Sequence, residues 1–445
     1  MMKQIAFVSA GLIIFMLSTC SSARKASLTG STIPMVRDNI ANAETINLIK
    51  IFRTDTLSLK QAITLALVYN QDIQIYKSEI AARQAGILQN SLLPNPELAI
   101  ELENFAGSGL LSSFKNSETT IGIGQLIELG GKRGKRMEIA GQKSDLALRR
   151  YEMKRLEIIT RVRKKYLQLL AAQKKTELDA KILEIERQFK LNIDKRVEAG
   201  RISAAESARA RVELSIAELA LNRNSRELSN LKRQISALWA PQSVDFKAVS
   251  GNLNFTASIP EIDNLLMVID SIPLIIEQNT IIKRQRAESQ LAEAMAIPDP
   301  HISVGYRYFN ESDDRAFVTG ISVPLPVFDR NQGGREEAKL LEKQSEQQLQ
   351  SLKINLNIEL SNRLAIIKNI NSEIIMMENI IIPEAQKAYD IIYQNYLSGK
   401  FAMIDVLDAQ RRLFDTRRRH LDALAEINLQ VVELEGLIGR SLETL

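Results

Sequence analysis

Two aspartates, Asp405 and Asp408, have a spacing in this sequence that could do chemistry. A separation of three places both carboxylates on one face of a helix. Carboxylates gathered from several chains would attract cations and repel anions, most strongly where the dielectric constant is low. The simpler interpretation is helix-start chemistry, because acidic residues in a first turn complement the helix dipole. In the first half of the chain Glu206 and Arg209 hold the equivalent places, so only one charge is repeated.

Other residue patterns that support catalysis or metal binding are missing from the sequence. His301 and His420 are the two histidines, and neither stands in a Cys, His or Asp cluster with metal-ligand spacing. Gly130 and Gly131 follow a predicted strand, as phosphate-binding loops do, but they lack the spacing and the Ser or Thr of such loops. The sequence therefore predicts no enzyme, no cofactor and no bound metal.

The composition favours long helices and argues against nucleic-acid binding. Of the 445 residues, 25% are charged and only 5% are aromatic, which is typical of long solvated helices. The 58 basic and 53 acidic residues are interspersed. The chain consequently has no basic patch of the kind that binds nucleic acid.

Residues 1–20 predict a signal peptide, followed by a polar linker over residues 21–57. Lys3 supplies the positive start, and the apolar run over residues 5–17 is too short for a permanent membrane span. Cys20, the only cysteine, lies directly after this run, as the lipid-attachment cysteine of a bacterial lipoprotein does. Thr19 is an unusual residue before such a cleavage point, so ordinary cleavage within residues 18–23 is the alternative.

The rest of the chain uses one pattern twice. A Pro-x-Pro sequence at residues 94–96 and again at 298–300 opens a stretch of alternating apolar and polar residues. Each stretch closes at a Gly-Gly pair, and a long helical segment follows that turns at Gly200 in the first half and Gly399 in the second. Such self-similarity indicates an internal two-fold repeat, which we divide into residues 58–260 and 261–445.

Period-two alternation predicts four strands, at about residues 97–104, 119–127, 301–309 and 316–323. In the first strand Leu98, Ile100 and Leu102 share the apolar face. Polar residues on the opposite faces of the strands would line a water-filled lumen, and they include Glu97, Glu101, Glu103 and Arg307.

Helices are predicted at about residues 59–92, 136–199, 204–240, 261–296 and 335–398, with one more after Gly399. Pro383 should kink or interrupt the fifth of these. Ser203 and Glu206 predict a capping box at the start of the third. The lengths suggest that helices 204–240 and 261–296 stack end to end beside helix 136–199. Helix 59–92 would then stack on the last helix, so that the repeat closes where the two chain ends meet.

Four strands cannot close a barrel, and an exported sheet that faces lipid must leave no edge unpaired. Strands of this length, when tilted, are about long enough to span an outer membrane. Three chains would contribute twelve strands, enough for a water-filled lumen. The alternative is a periplasmic scaffold in which each strand pair is a soluble hairpin that caps a coiled coil.

The two-fold repeat and its strand pairs resemble TolC-type outer-membrane efflux channels over residues 57–442. Residues 128–133 (Glu-Leu-Gly-Gly-Lys-Arg) and 324–331 (Pro-Leu-Pro-Val-Phe-Asp-Arg-Asn) are similar more narrowly to the cobalt-zinc-cadmium (CzcC) and copper-silver (CusC) resistance branch. The resemblance implies a mainly α-helical chain whose homotrimer forms a twelve-stranded barrel in the bacterial outer membrane, continued by a periplasmic tunnel. It also implies docking to a periplasmic adaptor (membrane fusion protein) and to a proton-driven inner-membrane pump of the resistance-nodulation-division (RND) class.

The resemblance also assigns roles to particular residues. Asp405 and Asp408 correspond to the periplasmic gate, where a trimer would place six carboxylates around the tunnel mouth. The turns at Gly200-Arg201 and Gly399-Lys400 would contact the adaptor. Heavy-metal cations are the implied cargo, and drugs or secreted proteins are the alternatives within the same fold.

Overall fold

The computed structural model describes residues 55–239, 246–255 and 258–444. The predicted signal peptide and Cys20 lie outside the described residues. Nine α-helices are seen in the described part of the chain. They are α1 (Leu59–Tyr69), α2 (Gln71–Ser91), α3 (Lys132–Glu198), α4 (Ala204–Ser236), α5 (Ile262–Met267), α6 (Pro273–Ala294), α7 (Gln332–Met376), α8 (Ile382–Leu397) and α9 (Met403–Ile438).

Six strands form two sheets in the described residues. They are β1 (Thr56–Leu57), β2 (Glu97–Glu103), β3 (Glu118–Leu126), β4 (Ala248–Val249), β5 (His301–Phe309) and β6 (Asp314–Ser322). The main sheet has the order β2-β3-β5-β6, and all of its pairs are antiparallel. Its strands lie close to the predicted bounds. The small parallel pair β1–β4 was not predicted, because two residues are too few to show a period.

The register of the main sheet places like residues on like faces. Leu98 lies opposite Ile123, which lies opposite Val304, and directly opposed residues share a face of the sheet. The next row of the same face joins Ile100, Ile121, Tyr306 and Phe317. The four strands therefore form one continuous apolar face, and the opposite face is mostly polar or small, with Leu126, Val318 and Phe309 as exceptions.

Two of the predicted helices are broken, and each break has a local cause. Asn70 ends α1 and caps α2, because its side-chain oxygen accepts from the backbone N–H of Asp72 at 3.0 Å. Pro273 begins α6 and holds the preceding Ile272 in an extended conformation (ψ 133°). Prolines favour the first turn of a helix, since the missing N–H would have no partner there.

Pro383 interrupts the long helix of the second half, as predicted. A π-helical segment (Met377–Ile381) separates α7 from α8, and Pro383 lies in the first turn of α8. A proline ring clashes with the carbonyl four residues earlier, and the wider π turn accommodates that carbonyl. The chain continues from α7 through the π-helical segment into α8, so these segments together match the length of α3.

The predicted stacking of the returning helices was wrong. The segment predicted as helix 59–92 meets the end of α4 in its own half rather than the last helix, because the Asn70 amide donates to the Leu238 carbonyl at 3.0 Å. In the second half the start of α6 meets the end of α9, where the Pro273 ring lies against Gly439. Each half therefore closes on itself rather than through the two chain ends.

The capping box predicted at the start of α4 is incomplete. Ser203 caps α4 through Ala205 N–H, and Glu206 makes no return bond.

The core follows the long helix α3, which packs against helices of both halves. Val162 and Leu169 are fully buried along it. Tyr166 places its hydroxyl 2.8 Å from the Leu57 carbonyl and 2.6 Å from that of Ser250. These contacts fix the small β1–β4 sheet to the middle of α3.

Candidate functional site

The lower tips of the molecule are two turns with the same backbone geometry. Gly200 (φ 67°) follows α3 and Gly399 (φ 78°) follows α8, both in the left-handed conformation. At each turn the glycine N–H and the next residue's N–H donate to the last helical carbonyls, at distances of 2.9–3.0 Å. This is the Schellman motif, which favours glycine because a Cβ is strained at that φ. Arg201 and Lys400, the residues that follow, are exposed at the tips.

The substitution Gly399→Ala should destabilise its turn by about 1–2 kcal/mol, because alanine is strained in the left-handed region. No atom lies within 4 Å of the new Cβ, so the strain is conformational rather than steric. Gly141→Ala in the interior of α3, where space is also open, is the matched control and should be neutral or stabilising. Hydrogen exchange of the α8 and α9 amides near the turn measures both. Equal protection in the two variants would contradict the assignment.

Asp405 and Asp408 lie in the first two turns of α9. Asp405 accepts from the Ala402 backbone N–H at 2.9 Å, which closes the start of the helix. Asp408 pairs with Arg412 at 3.0 Å, and both of those side chains are exposed. The helix-start interpretation therefore describes part of what Asp405 does. Its second carboxylate oxygen and the charge of Asp408 remain at the tip, so a role in attracting cations stays a prediction.

The two hairpins, α3–α4 and α8–α9, pack against each other just above the tips. A tip cluster of apolar side chains joins all four helices and consists of Phe189, Ile193, Ala210, Tyr396, Met403, Val406 and Leu407. One layer higher, a second cluster consists of Ile182, Leu183, Ala217, Leu413 and Phe414. Separating the hairpins at the tip would therefore expose both clusters to water.

A polar layer of Glu186, Glu213, Gln410 and Arg411 lies between the two apolar clusters. Glu213 pairs with Arg411 through both carboxylate oxygens. Glu186 is only 5% exposed, and its Oε2 has no hydrogen-bond partner in the described structure. Burial raises the pKa of Glu186 to about 7, repulsion from Glu213 adds to the rise, and Arg411 opposes it. Gln410, 2% exposed, also has no partner for either atom of its amide among the described residues.

A second buried polar contact joins the same helices higher up. Asp179 of α3 is 2% exposed, and its Oδ1 accepts from Arg418 of α9 at 3.0 and 3.1 Å. The Asn224 amide of α4 donates to the other oxygen. One carboxylate thus links three helices and ties the first hairpin to the second.

These buried residues were not predicted from the sequence, although a local signal was present. Glu186 occupies the position between Leu183 and Phe189 on the buried stripe of α3. Gln410 lies similarly between Leu407 and Leu413 on α9. A charged or amide side chain that interrupts an apolar stripe is the pattern that would have indicated the polar layer.

The four residues predicted to line the lumen share the polar face of the main sheet. Opposed pairs in the register connect Glu101 through Thr120 to Arg307, and Glu103 to Glu118. Arg307 contacts Glu103 at 3.0 Å and Glu118 at 2.9 Å. The positive charge of Arg307 is therefore neutralised on the sheet itself. Its charge therefore offsets less of the attraction that the other glutamates on this face exert on cations.

Each of the two histidines has a carboxylate neighbour, which the sequence did not indicate. His301 Nε2 lies 3.8 Å from Glu97 Oε2 on the polar face of the sheet. His420 Nε2 lies 3.0 Å from Glu378 Oε1, where α9 passes the π-helical segment. Both partners come from distant parts of the chain, which a sequence pattern does not reveal. Among the described residues no three His, Cys, Asp or Glu side chains group as ligands of a metal ion.

Comparison with known proteins identifies the class of this arrangement. The sequence matches the outer membrane efflux protein family over residues 62–240 and 278–440. The chain belongs to this family. The two matched segments contain the main sheet and the two hairpins described above. The family assignment favours a channel over the periplasmic scaffold.

This outer membrane efflux protein has curated relatives with related names. It is 29% identical over 387 residues to the cobalt-zinc-cadmium resistance protein CzcC of Cupriavidus metallidurans, which is 86% of this chain and 90% of that protein. It is 23% identical over 293 residues to the nickel and cobalt resistance protein CnrC of the same organism, 63% of this chain and 66% of that protein. The resemblance to the heavy-metal branch is therefore confirmed.

The fold is also that of a solved channel protein. A crystal structure of CusC superposes with a TM-score of 0.72 and 18% identity, over 88% of this chain and 94% of that one. Among the described residues no helix has the length and apolarity needed to cross a membrane. The family match and the curated relatives together identify the chain as an outer-membrane efflux channel protein related to heavy-metal resistance proteins.

Proposed function

We propose that three copies of this chain form the outer-membrane channel of a tripartite, proton-driven RND-type efflux system that exports heavy-metal cations. The observation that carries the proposal is the unfinished main sheet. Its edge strands β2 and β6 each have one unpaired side. Its apolar face is open, with Leu98 69% and Phe317 75% exposed. A sheet with two free edges and an open apolar face is completed by further copies and by lipid.

The polar face and the tip support a cation as cargo. Glu97 and Glu101 remain on the lumen side after Arg307 has been neutralised by Glu103 and Glu118. At the other end Asp405 and Asp408 of three chains would surround the tunnel mouth. Rings of acidic side chains favour cation passage. The names of the relatives, which concern cobalt, zinc, cadmium and nickel resistance, point to the same class of cargo.

The tips support docking to a periplasmic adaptor. Both turns are short Schellman motifs that present exposed Arg201 and Lys400. We assign Gly200, Arg201, Gly399 and Lys400 to this contact. In this proposal an inner-membrane pump drives export and selects the cargo. We also propose that the chain consists of two repeats, residues 58–260 and 261–445.

A deletion strain tests the cargo directly. Cells that lack this channel should retain Zn²⁺, Co²⁺ or Cd²⁺, and the wild-type gene should restore export, as measured by elemental analysis of washed cells. A hydrophobic dye serves as the comparison cargo. Retention of the dye without retention of metal would replace the proposed cargo with drugs.

The variant Asp405→Asn/Asp408→Asn should weaken blockade of the channel by divalent cations in planar bilayers, because six carboxylates at the mouth become neutral. Of the two single variants, Asp405→Asn should have a larger effect than Asp408→Asn, since the charge of Asp408 is partly offset by Arg412. An asparagine oxygen can still accept from Ala402 N–H, so the helix start is retained. Glu426→Gln, further along α9, is the control. Unchanged blockade in the double variant would remove the gate assignment.

A further inference from the structure

The start of the polar face holds a side-chain pair that the channel function does not by itself require. Glu97 is the first residue of β2 and His301 the first of β5, so both lie at the end of the sheet nearest the helices. Strand β3 runs between them, and its residue opposite Glu97 is Gly124. The imidazole of His301 lies across this glycine towards Glu97.

Gly124 makes this approach possible. A Cβ at that position would lie 2.3 Å from Cε1 and 2.7 Å from Nε2 of His301. These distances are far shorter than a van der Waals contact, so any other residue would turn the imidazole away. The backbone of Gly124 does not have a positive φ. The glycine is therefore needed for the space it leaves rather than for its conformational freedom.

The imidazole nitrogen that faces Glu97 has no hydrogen-bond partner in the described structure. Its separation of 3.8 Å from Glu97 Oε2 is too long for a hydrogen bond. The distance suits two ligands of one cation, since metal–nitrogen and metal–oxygen bonds of about 2.0–2.2 Å would bridge it after a small movement. Glu97 can make that movement, because its side chain is 80% exposed.

The chemistry of the pair selects a class of ion. An imidazole nitrogen together with a carboxylate suits Zn²⁺, Co²⁺ or Ni²⁺, whereas Mg²⁺ and Ca²⁺ prefer oxygen ligands alone. The nearest cation described on this face, Arg307, is held by Glu103 and Glu118 further along the strands. Two protein ligands leave the remaining positions to water, which makes binding weak and release fast. A site on a transport path needs both properties.

We propose that Glu97 and His301 form a low-affinity binding site for divalent transition-metal ions on the lumen face of the barrel, at its helical end. Each chain supplies one complete site. This differs from the sequence expectation of no bound metal. The placement on the lumen rests on the proposed channel function, whereas metal binding by the pair can be measured without it.

Titration calorimetry of the detergent-solubilised full chain with Zn²⁺ tests the site. Wild type should bind in the micromolar to millimolar range, and Mg²⁺ should not compete. His301→Gln and Glu97→Gln should each weaken Zn²⁺ binding by ~10-fold or more, the loss typical of damaged metal sites. Gly124→Ala keeps both ligands and should cause a similar loss by displacing the ring. Circular dichroism and gel filtration verify that each variant is folded and assembled.

The second histidine provides the matched control. His420 is already hydrogen-bonded to Glu378 at 3.0 Å, so His420→Gln should bind Zn²⁺ as wild type does. Wild-type affinity in both Glu97→Gln and His301→Gln, or an equal loss in His420→Gln, would overturn the site. Export of metal by cells tests the proposed function separately. A channel that exports only drugs would contradict that function and leave the binding result standing.

Discussion

The variant Arg418→Ala is expected to lower the free energy that holds the two hairpins together by about 3–5 kcal/mol. Removing one partner of a buried ion pair leaves an uncompensated charge, and costs of that size follow. Asp179 is 2% exposed and receives two guanidinium contacts from Arg418. Without them only the Asn224 amide would face the carboxylate.

Hydrogen exchange of the α3 and α9 amides around this contact measures the change, because it reports the free energy of local opening. Exchange should be accelerated by about a hundredfold or more. Adding Asp179→Asn to Arg418→Ala should recover much of the loss, since the buried charge is then gone.

Arg412→Ala is the matched control on the same helix. Arg412 pairs with Asp408, but both side chains are mostly exposed, and such surface pairs contribute about 0–1 kcal/mol. Exchange in Arg412→Ala should therefore stay close to that of wild type. If both arginine variants accelerated exchange equally, Asp179 would not be the link between the hairpins.

The parts of the fold that the sequence predicted depend on local periods and on single residues. Side chains alternate along a strand, so Leu98, Ile100 and Leu102 were assigned to one face without any knowledge of their neighbours. Gly399 and Pro383 act through their own backbone restrictions, and both ended or interrupted helices where expected. Such features need no information from the rest of the chain.

The parts that the sequence did not predict depend on which distant segments meet. The helices predicted over residues 59–92 and 261–296 have similar lengths, so length alone could not decide which of them stacks on α4. Contacts such as Asn70 with Leu238 decide it. The pairs Asp179–Arg418 and Glu97–His301 are likewise set by tertiary packing. A sequence pattern gives the face of a residue but not its partner on the facing element.

Protection of the amides at the hairpin tips is expected to fall as pH rises from about 5 to about 8. Glu186 lies in the polar layer between the two apolar clusters, and burial raises its pKa to about 7. The packed state therefore binds a proton that an opened, solvated Glu186 would release at about its ordinary pKa of 4.5. Stability falls with pH where the packed state binds more protons than the opened state.

The pH window and the size of the effect follow from the same shift. Little is lost at or below pH 4.5, the loss grows between about 4.5 and 7, and above 7 it is complete. A rise from 4.5 to about 7 corresponds to at most about 3 kcal/mol. The other groups that face Glu186 are Glu213, Arg411 and Tyr389. Burial raises the pKa of Tyr389 to about 12, so that hydroxyl stays neutral throughout the window.

Glu186→Gln should abolish this pH dependence and give, at pH 8, the protection that wild type has at pH 5. An amide of the same shape carries no charge to bury, so the repulsion from Glu213 disappears. Glu184→Gln is the control, because Glu184 lies on the exposed side of α3 two residues away. Hydrogen exchange, corrected for the intrinsic effect of pH, measures all three proteins. A pH slope that persists in Glu186→Gln would show that another group titrates. With Glu186 as the titrating group, the tip packs most tightly below neutral pH and is loosest in alkaline conditions, because the charged carboxylate then lies between two apolar layers.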